Sequence, residues 1–182
     1  MSSIIDGSAG LTTNVGAVYN GLQKGTSVAS TSGTSINFTS IPSWVERITV
    51  MLNGVSTNGT DVLLCQIGTS SGIESSSYFG AYSAVNATPT ASLTVSTVGF
   101  PLHQPNNAAD LFYGQLIITN LSGNIWVAQG CFSRDGSASD SASAASGGKT
   151  LSGVLDRLRI IGGTAGSPNN TFDAGSINII YE

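Results

Sequence analysis

The sequence predicts an all-β protein, a jelly-roll-like antiparallel β-sandwich with an extended N-terminal arm. Short segments of alternating apolar residues recur about every 10–15 positions, bounded by Gly, Asn, Ser and Pro, as in sandwich folds. Helical periodicity of the apolar residues is almost absent. Hydrophobic residues make up 40% of the 182 positions, whereas charged residues make up only 9%, compared with about 25% in an ordinary soluble domain. The chain therefore has enough apolar residues for a core and an unusually uncharged surface.

Two regions are expected along the chain. Residues 1–31 contain five glycines, and their apolar residues follow no period, so we expect an extended docking arm that orders against a partner surface. Residues 32–182 carry the alternating segments and should form the sandwich domain. A chain of this length is expected to form one core.

The first half of the sandwich is predicted to contain three strands. In the second of these, Ile48, Val50 and Leu52 share one face. Asn-Gly pairs accept the positive φ angles of tight turns, so Asn53-Gly54 and Asn58-Gly59 predict hairpins. The three predicted strands are 36–38, 46–52 and 61–67.

The second half is predicted to contain six strands and one long loop. Leu121-Ser-Gly-Asn124 supplies a tight turn, and Pro101 and Pro105 indicate a connection, because proline is excluded from central strands. The Ser/Ala/Gly-rich stretch 133–148 has no apolar side chain larger than Ala, which predicts a solvated, mobile loop. The predicted strands are 78–82, 92–100, 111–119, 125–132, 154–161 and 176–181.

The charge balance argues against several classes of partner. Six Lys and Arg residues against ten Asp and Glu residues give a net charge of −4, which provides no basic surface for nucleic acid. No apolar run approaches the roughly 18 residues of a membrane span, so no membrane insertion is expected. The N-terminus has no basic segment followed by an apolar one, so no signal peptide is predicted. Cys65 and Cys131 are expected to be buried free thiols.

No catalytic, cofactor-binding or metal-binding residue is predicted. Gly68-Thr-Ser-Ser-Gly72 fits the pattern of a nucleophile elbow around Ser70, but no helix is indicated after it, so a turn is expected. His103 is the single histidine, expected at the surface or in a loop; a threefold axis could gather three copies into a metal or anion site. Asp135 and Asp140 do not fit the calcium-binding loop pattern.

Three aromatic residues are tentative ligand or interface residues. Trp126, Tyr113 and Tyr78 could form a platform on which a sugar stacks, while a core or interface role is the alternative. Trp44 is expected to anchor the rim of the sandwich.

Four charged residues stand out because charges are so few. Asp156, Arg157, Arg159 and Asp173 are predicted to form structural ion pairs, either with one another or across subunits.

Three segments carry a resemblance to a known family. They are IPSWVERITVMLNGVSTNGT at 41–60, LDRLRII at 155–161 and TFDAGSINIIYE at 171–182. Together they resemble the terminal β-sandwich module of bacteriophage tail-fibre and related virion appendage proteins. The resemblance covers most of 30–182, and it implies a non-enzymatic virion component that forms a homotrimer and is displayed outward.

The resemblance leads to a functional expectation. The protein would be a short tail-fibre-like appendage, assembled in the host cytoplasm and docked on a tail, baseplate or capsid protein through residues 1–31. Loops 68–78, 101–108 and 133–148 would project outward, where they could meet a host surface glycan. A capsid decoration protein, either a head fibre or a cement protein, is the alternative because no long shaft is present. A carbohydrate-binding module is the rival from another class.

Overall fold

The computed structural model describes residues 5–6, 10–12, 18–19, 21–87, 91–136, 140–163 and 165–182. Within these ranges there is no helix, and every pair of strands is antiparallel. The predicted all-β sandwich class is confirmed.

The strands are numbered in chain order. Those before the large hairpins are β1 (Ile5–Asp6), β2 (Gly10–Thr12), β3 (Val18–Tyr19), β4 (Gln23–Lys24), β5 (Val28–Ala29), β6 (Ser35–Phe38), β7 (Arg47–Thr57), β8 (Leu63–Thr69) and β9 (Gly72–Ile73). Those that follow are β10 (Tyr78–Asn86), β11 (Ala91–Ser96), β12 (Phe100–His103), β13 (Leu111–Ser122), β14 (Ile125–Asp135), β15 (Ser141–Thr150), β16 (Arg157–Gly162) and β17 (Phe172–Tyr181).

Two sheets build the sandwich. The large sheet has the strand order β11-β10-β15-β14-β13-β7-β17-β4, and β5 also pairs with β17. The small sheet has the order β12-β8-β16-β6, with β9 paired to β8. A separate three-stranded sheet is formed by β1, β2 and β3.

The core lies between the two sheets and follows the alternation seen in the sequence. In β7, Ile48 and Val50 are fully buried, and Leu52 is nearly so, as predicted. The small sheet contributes Leu158 and Ile160 from β16, both fully buried. Burying each such side chain contributes about 1.5–3 kcal/mol. This core fixes which side of the large sheet faces inward.

The two Asn-Gly pairs do not form the predicted hairpins. Asn53-Gly54 lies within β7, where Gly54 has a φ of 63° and the pairing with β13 and β17 shifts register nearby. It is therefore part of a β-bulge, which uses the same positive φ as a turn. Asn58-Gly59 lies in the connection from β7 in the large sheet to β8 in the small one.

The Ser/Ala/Gly-rich stretch is mostly strand, which makes the predicted loop at 133–148 wrong. Strand β14 runs to Asp135, and β15 begins at Ser141 and lies between β10 and β14. Small residues suit this place because the small sheet packs closely against it: a Cβ on Gly147 would lie 2.8 Å from a ring carbon of Phe100. Residues 137–139 lie outside the described part.

The proline-containing connection is also partly strand. The predicted strand 92–100 is divided into β11 and β12, which belong to different sheets. Pro101 lies in β12, an edge strand of the small sheet with an irregular register at that point, where proline is tolerated. Residues 101–103 are buried, so this part of loop 101–108 does not project outward.

Part of the predicted arm lies along the C-terminal strand. Strands β4 and β5 both pair with β17, and the Gly25 amide donates to the Ile179 carbonyl at 2.8 Å. Ser30 is fully buried, and its hydroxyl donates to the Ala174 carbonyl at 2.8 Å. The docking role predicted for residues 1–31 stays a prediction, and most of residues 1–20 lie outside the described part of the chain.

Candidate functional site

The most distinctive surface is the side of the large sheet that faces away from the small sheet. Strand alternation and register align ten side chains there in two cross-strand rows. The first row is Leu93, Ser83, Ala144, Cys131 and Gln115, and the second is Val95, Ala81, Ser146, Gln129 and Ile117. We call these ten residues the open face. None of them is charged.

The open face is not flat. Leu93 and Val95 on β11 are 71% and 56% exposed and form a ridge at the sheet edge. Beside it runs a groove of about 570 Å³. Small side chains of β10 and β15, including Ala144 and Ser146, line the part of the groove next to the ridge, and Gln115, Ile117 and Gln129 line the part farther from it. We refer to these two parts as the ridge and the trough.

Further apolar side chains surround the two rows. On the same side of the sheet, Phe79 and Val85 of β10 are 68% and 59% exposed, and Val127 of β14 is 41% exposed. Contiguous exposed apolar surface of this kind marks an interaction site in soluble proteins.

Cys131 lies within the open face, which corrects one half of the cysteine prediction. Cys65 is fully buried, as expected, and burial raises the pKa of its thiol. Cys131 is exposed because its position on β14 points away from the core. Both cysteines are free.

His103 is buried, not at the surface or in a loop as predicted. Its ring lies between those of Tyr82 and Phe112, with centroid distances of 5.6 and 5.4 Å. Its Nδ1 accepts a hydrogen bond from the Gln104 amide at 2.8 Å, and its Nε2 lies 2.8 Å from the Ser141 hydroxyl. Burial, helped by the positive charge of Arg134, lowers the pKa of His103 to about 4.

The pairing of His103 with Ser141 differs from that of a catalytic dyad. A histidine that activates serine accepts a proton at one nitrogen while the other donates to a carboxylate. Here Nδ1 accepts an amide proton, so the neutral ring carries its proton on Nε2 and donates it to the Ser141 oxygen. The hydrogen bond is thus oriented to join β12 to β15.

A buried ion pair lies near this histidine. The side chains of Arg134 and Asp110 are 2% and 0% exposed, with 3.5 Å between Nε and Oδ2. Asp110 Oδ2 also accepts the amides of Asn106 and Asn107 at 2.7 and 3.1 Å. The pair thereby fixes the 104–110 connection onto β14.

A second buried cation lies between two of the predicted aromatic residues. Lys149 of β15 pairs in register with Tyr78 on one side and Trp126 on the other. Its Nζ lies 2.6 Å from Glu74 Oε2 and 5.2 Å from the centre of the Tyr78 ring. Hydrogen bonds from Lys149 and Ser152 outweigh the desolvation of Glu74, and the pKa of its carboxyl is lowered.

The predicted aromatic residues are not one platform. Trp126 and Tyr78 are 3% and 4% exposed and belong to the core, which leaves neither ring a free face for a sugar. Tyr113 is 36% exposed on β13. Trp44 is partly buried and packs at 5.9 Å against the ring of Tyr181.

Of the four predicted ion-pair residues, two pair with each other. Asp156 and Arg157 are joined at 2.8 Å. Arg159 instead donates to the Gln66 side-chain oxygen at 2.6 Å and to the Gly166 carbonyl at 3.2 Å. Asp173 is exposed and forms no ion pair with another residue of the described part. Arg47 and Glu182 form a surface pair that the sequence did not indicate.

The remaining sequence patterns are structural. Gly68–Gly72 forms a tight turn between β8 and β9, with Thr69 paired to Gly72. Asp140 accepts the Gly136 amide at 3.3 Å. Among the described residues there is no cluster of metal-ligating side chains and no helix long and apolar enough to cross a membrane.

Comparison with protein-family models, with curated proteins and with solved structures finds no match for this chain.

Proposed function

We propose that this protein is a non-enzymatic structural component of a bacteriophage virion, a short tail-fibre-like appendage that assembles as a homotrimer. Three sequence segments resemble virion appendage modules. The single structural observation that carries the proposal is the open face, ten uncharged side chains in two rows across five strands. Another protein can cover a surface of this composition without desolvating a charged side chain, which is the most costly kind of burial.

The proposed role consists of attachment and display and involves no chemical step. The N-terminal arm would dock the protein on a tail, baseplate or capsid protein, while the sandwich is displayed outward. Residues 23–24 and 28–29 of the predicted arm pair with β17, so we assign the docking contact to residues 1–20. Host contact, which can include a surface glycan, would use exposed residues because Trp126 and Tyr78 are in the core.

Capsid decoration is the second candidate within this class. Attachment to the head or to the tail distinguishes the two candidates.

The test is to locate the protein on particles. Phage producing a C-terminally tagged protein would be purified and labelled with gold-conjugated antibody against the tag. We expect label on the particles, and its position identifies head or tail. We further expect that deletion of residues 1–20 leaves a folded sandwich that no longer joins the particle, whereas the surface variant Thr39→Lys is incorporated normally. Particles without label, in cells that contain the folded protein, would refute the proposal.

A further inference from the structure

The ridge and the trough of the open face have complementary shapes. The ridge consists of two aliphatic side chains, Leu93 and Val95, that are more than half exposed. The trough has small side chains in the part next to the ridge and a volume of about 570 Å³. We infer that the ridge of one copy lies in the trough of a second copy of this chain. This inference deepens the proposed function and rests on it, because it names the contact through which the oligomer forms.

The composition of the open face fits a second copy better than a charged partner. In a contact between two copies, the ridge of one and the trough of the other are both desolvated, and an unpaired charge on either would be unfavourable. The two rows carry none, so two copies can meet without burying an unpaired charge. Ala144 and Ser146 in the trough also allow close approach, and sheets pack face to face about 10 Å apart.

The size of the open face is sufficient for a specific interface. Five strands at about 4.8 Å spacing span about 24 Å, and seven residues of a strand extend about 23 Å. With the strands included as far as Phe79 and Val85, the face covers about 550 Å² on each copy, and a contact that uses the whole face of two copies would bury about 1,100 Å², above the roughly 1,000 Å² expected of a biological interface. Within this area, Phe79, Val85 and Val127 add exposed apolar side chains to those of the two rows.

Cysteine cross-linking tests the contact directly, because Cys131 is already in the trough. In one copy, residues 93 and 131 are separated by two strands, or roughly 14 Å, too far for an internal disulfide. We therefore expect that Leu93→Cys, oxidised in solution, forms a covalent link between chains, and that Cys131→Ser in the same chain abolishes it. Val154→Cys, 58% exposed outside the open face, is the matched control and should remain unlinked.

A charge variant provides the second measurement. Ala144→Glu places a carboxylate in the trough, where the side chain is exposed in the single chain. We expect sedimentation to show a wild-type oligomer and at least about a 100-fold weaker association of the variant. The thermal unfolding of the variant monomer shows that it folds, and Thr39→Lys, away from the open face, should associate like wild type.

The outcomes separate this inference from the proposed function. A monomeric wild-type protein, or an oligomer that neither Ala144→Glu nor the cross-linking pattern affects, would overturn the inference, while gold label on particles would still support the virion role. Linked oligomers of a protein that is absent from particles would support the contact and refute the virion role. A mass of three chains supports the homotrimer, and a mass of two supports the contact but refutes the trimer.

Discussion

The imidazole Nε2 of His103 and the hydroxyl oxygen of Ser141 lie 2.8 Å apart in the buried space between the sheets. His103 belongs to β12 of the small sheet and Ser141 to β15 of the large one. Because Nδ1 accepts the Gln104 amide proton, the ring is the neutral tautomer with its proton on Nε2, which donates to Ser141. Protonation would place a second N–H against the Gln104 amide, so the full set of hydrogen bonds at this histidine exists only with the neutral ring.

Stability should fall at mildly acidic pH. In the unfolded chain the pKa of His103 is near 6.5, whereas in the fold it is lowered to about 4. Between these values the unfolded chain binds one more proton than the folded chain, so acid favours unfolding. We expect the free energy of unfolding to be constant near neutral pH and to decrease by up to about 3 kcal/mol from pH 6.5 to 4. Urea titrations at several pH values measure this.

The variant His103→Gln is the control for the acid effect. It keeps a polar side chain but has no group that titrates in this window, so the slope between pH 6.5 and 4 should largely disappear. Because the pKa of Glu74 is lowered in the fold, the stability that its carboxylate contributes is lost only at more acidic pH. If the free energy of unfolding of His103→Gln fell with pH as steeply as that of the wild type, the acid effect would belong to other groups.

The buried pair of Arg134 and Asp110 should be sensitive to the loss of one partner. In Asp110→Ala the guanidinium loses its buried counter-charge, and the Asn106 and Asn107 amides lose their acceptor. We expect a loss of about 3–5 kcal/mol in chemical unfolding. Asp156→Ala, which removes a partly exposed pair with Arg157, should cost about 1 kcal/mol or less. An equal loss of unfolding free energy in the two variants would contradict the assignment of one pair as buried and the other as partly exposed.

Replacement of Gly175 should destabilise the bulge between β7 and β17. Its φ is 88°, and a Cβ there would overlap with the carbonyl oxygen of Gly54. We expect Gly175→Ala to lower the free energy of unfolding by more than about 2 kcal/mol, since both strain and overlap contribute. Gly21→Ala, where no atom lies within 4 Å, should change it little. Thermal unfolding of the two variants makes the comparison.

Association should depend little on salt near neutral pH. The ten side chains of the open face carry no charge, so screening removes no attraction across the contact. We expect sedimentation profiles at low and high sodium chloride to agree within about twofold in association constant. Dissociation of the oligomer by salt would show that ion pairs hold it together.

The sequence was most informative where one face of a strand is apolar. Alternation identified β7 and β17 and the inward direction of Ile48, Val50 and Leu52. It failed for β15, whose inward residues include Ser141, Ser143 and Ala145. This strand is held by β10 and β14 on its two sides and is covered by β12, so tertiary packing overrides its own weak propensity.

The site residues were harder to foresee than the strands. Arg134 lies 24 positions after Asp110, and Lys149 lies 75 positions after Glu74, so no local spacing indicates either pair. The open face was equally hidden, since its two rows combine five strands from different parts of the chain. Adjacent charges, as in Asp156 and Arg157, were the ones that sequence proximity could suggest.

The two edges of the large sheet are unlike each other. At one end β17 is covered by two short strands of two residues each, β4 and β5, which residues 25–27 separate. At the other end β11 offers six consecutive uncharged residues. Strand addition needs a continuous free edge, so through this sheet it can proceed only from β11. If the large sheets of two copies paired through their β11 strands, neither copy would have a second free edge of this sheet. Edge pairing would therefore stop at two copies and would not extend into a fibril.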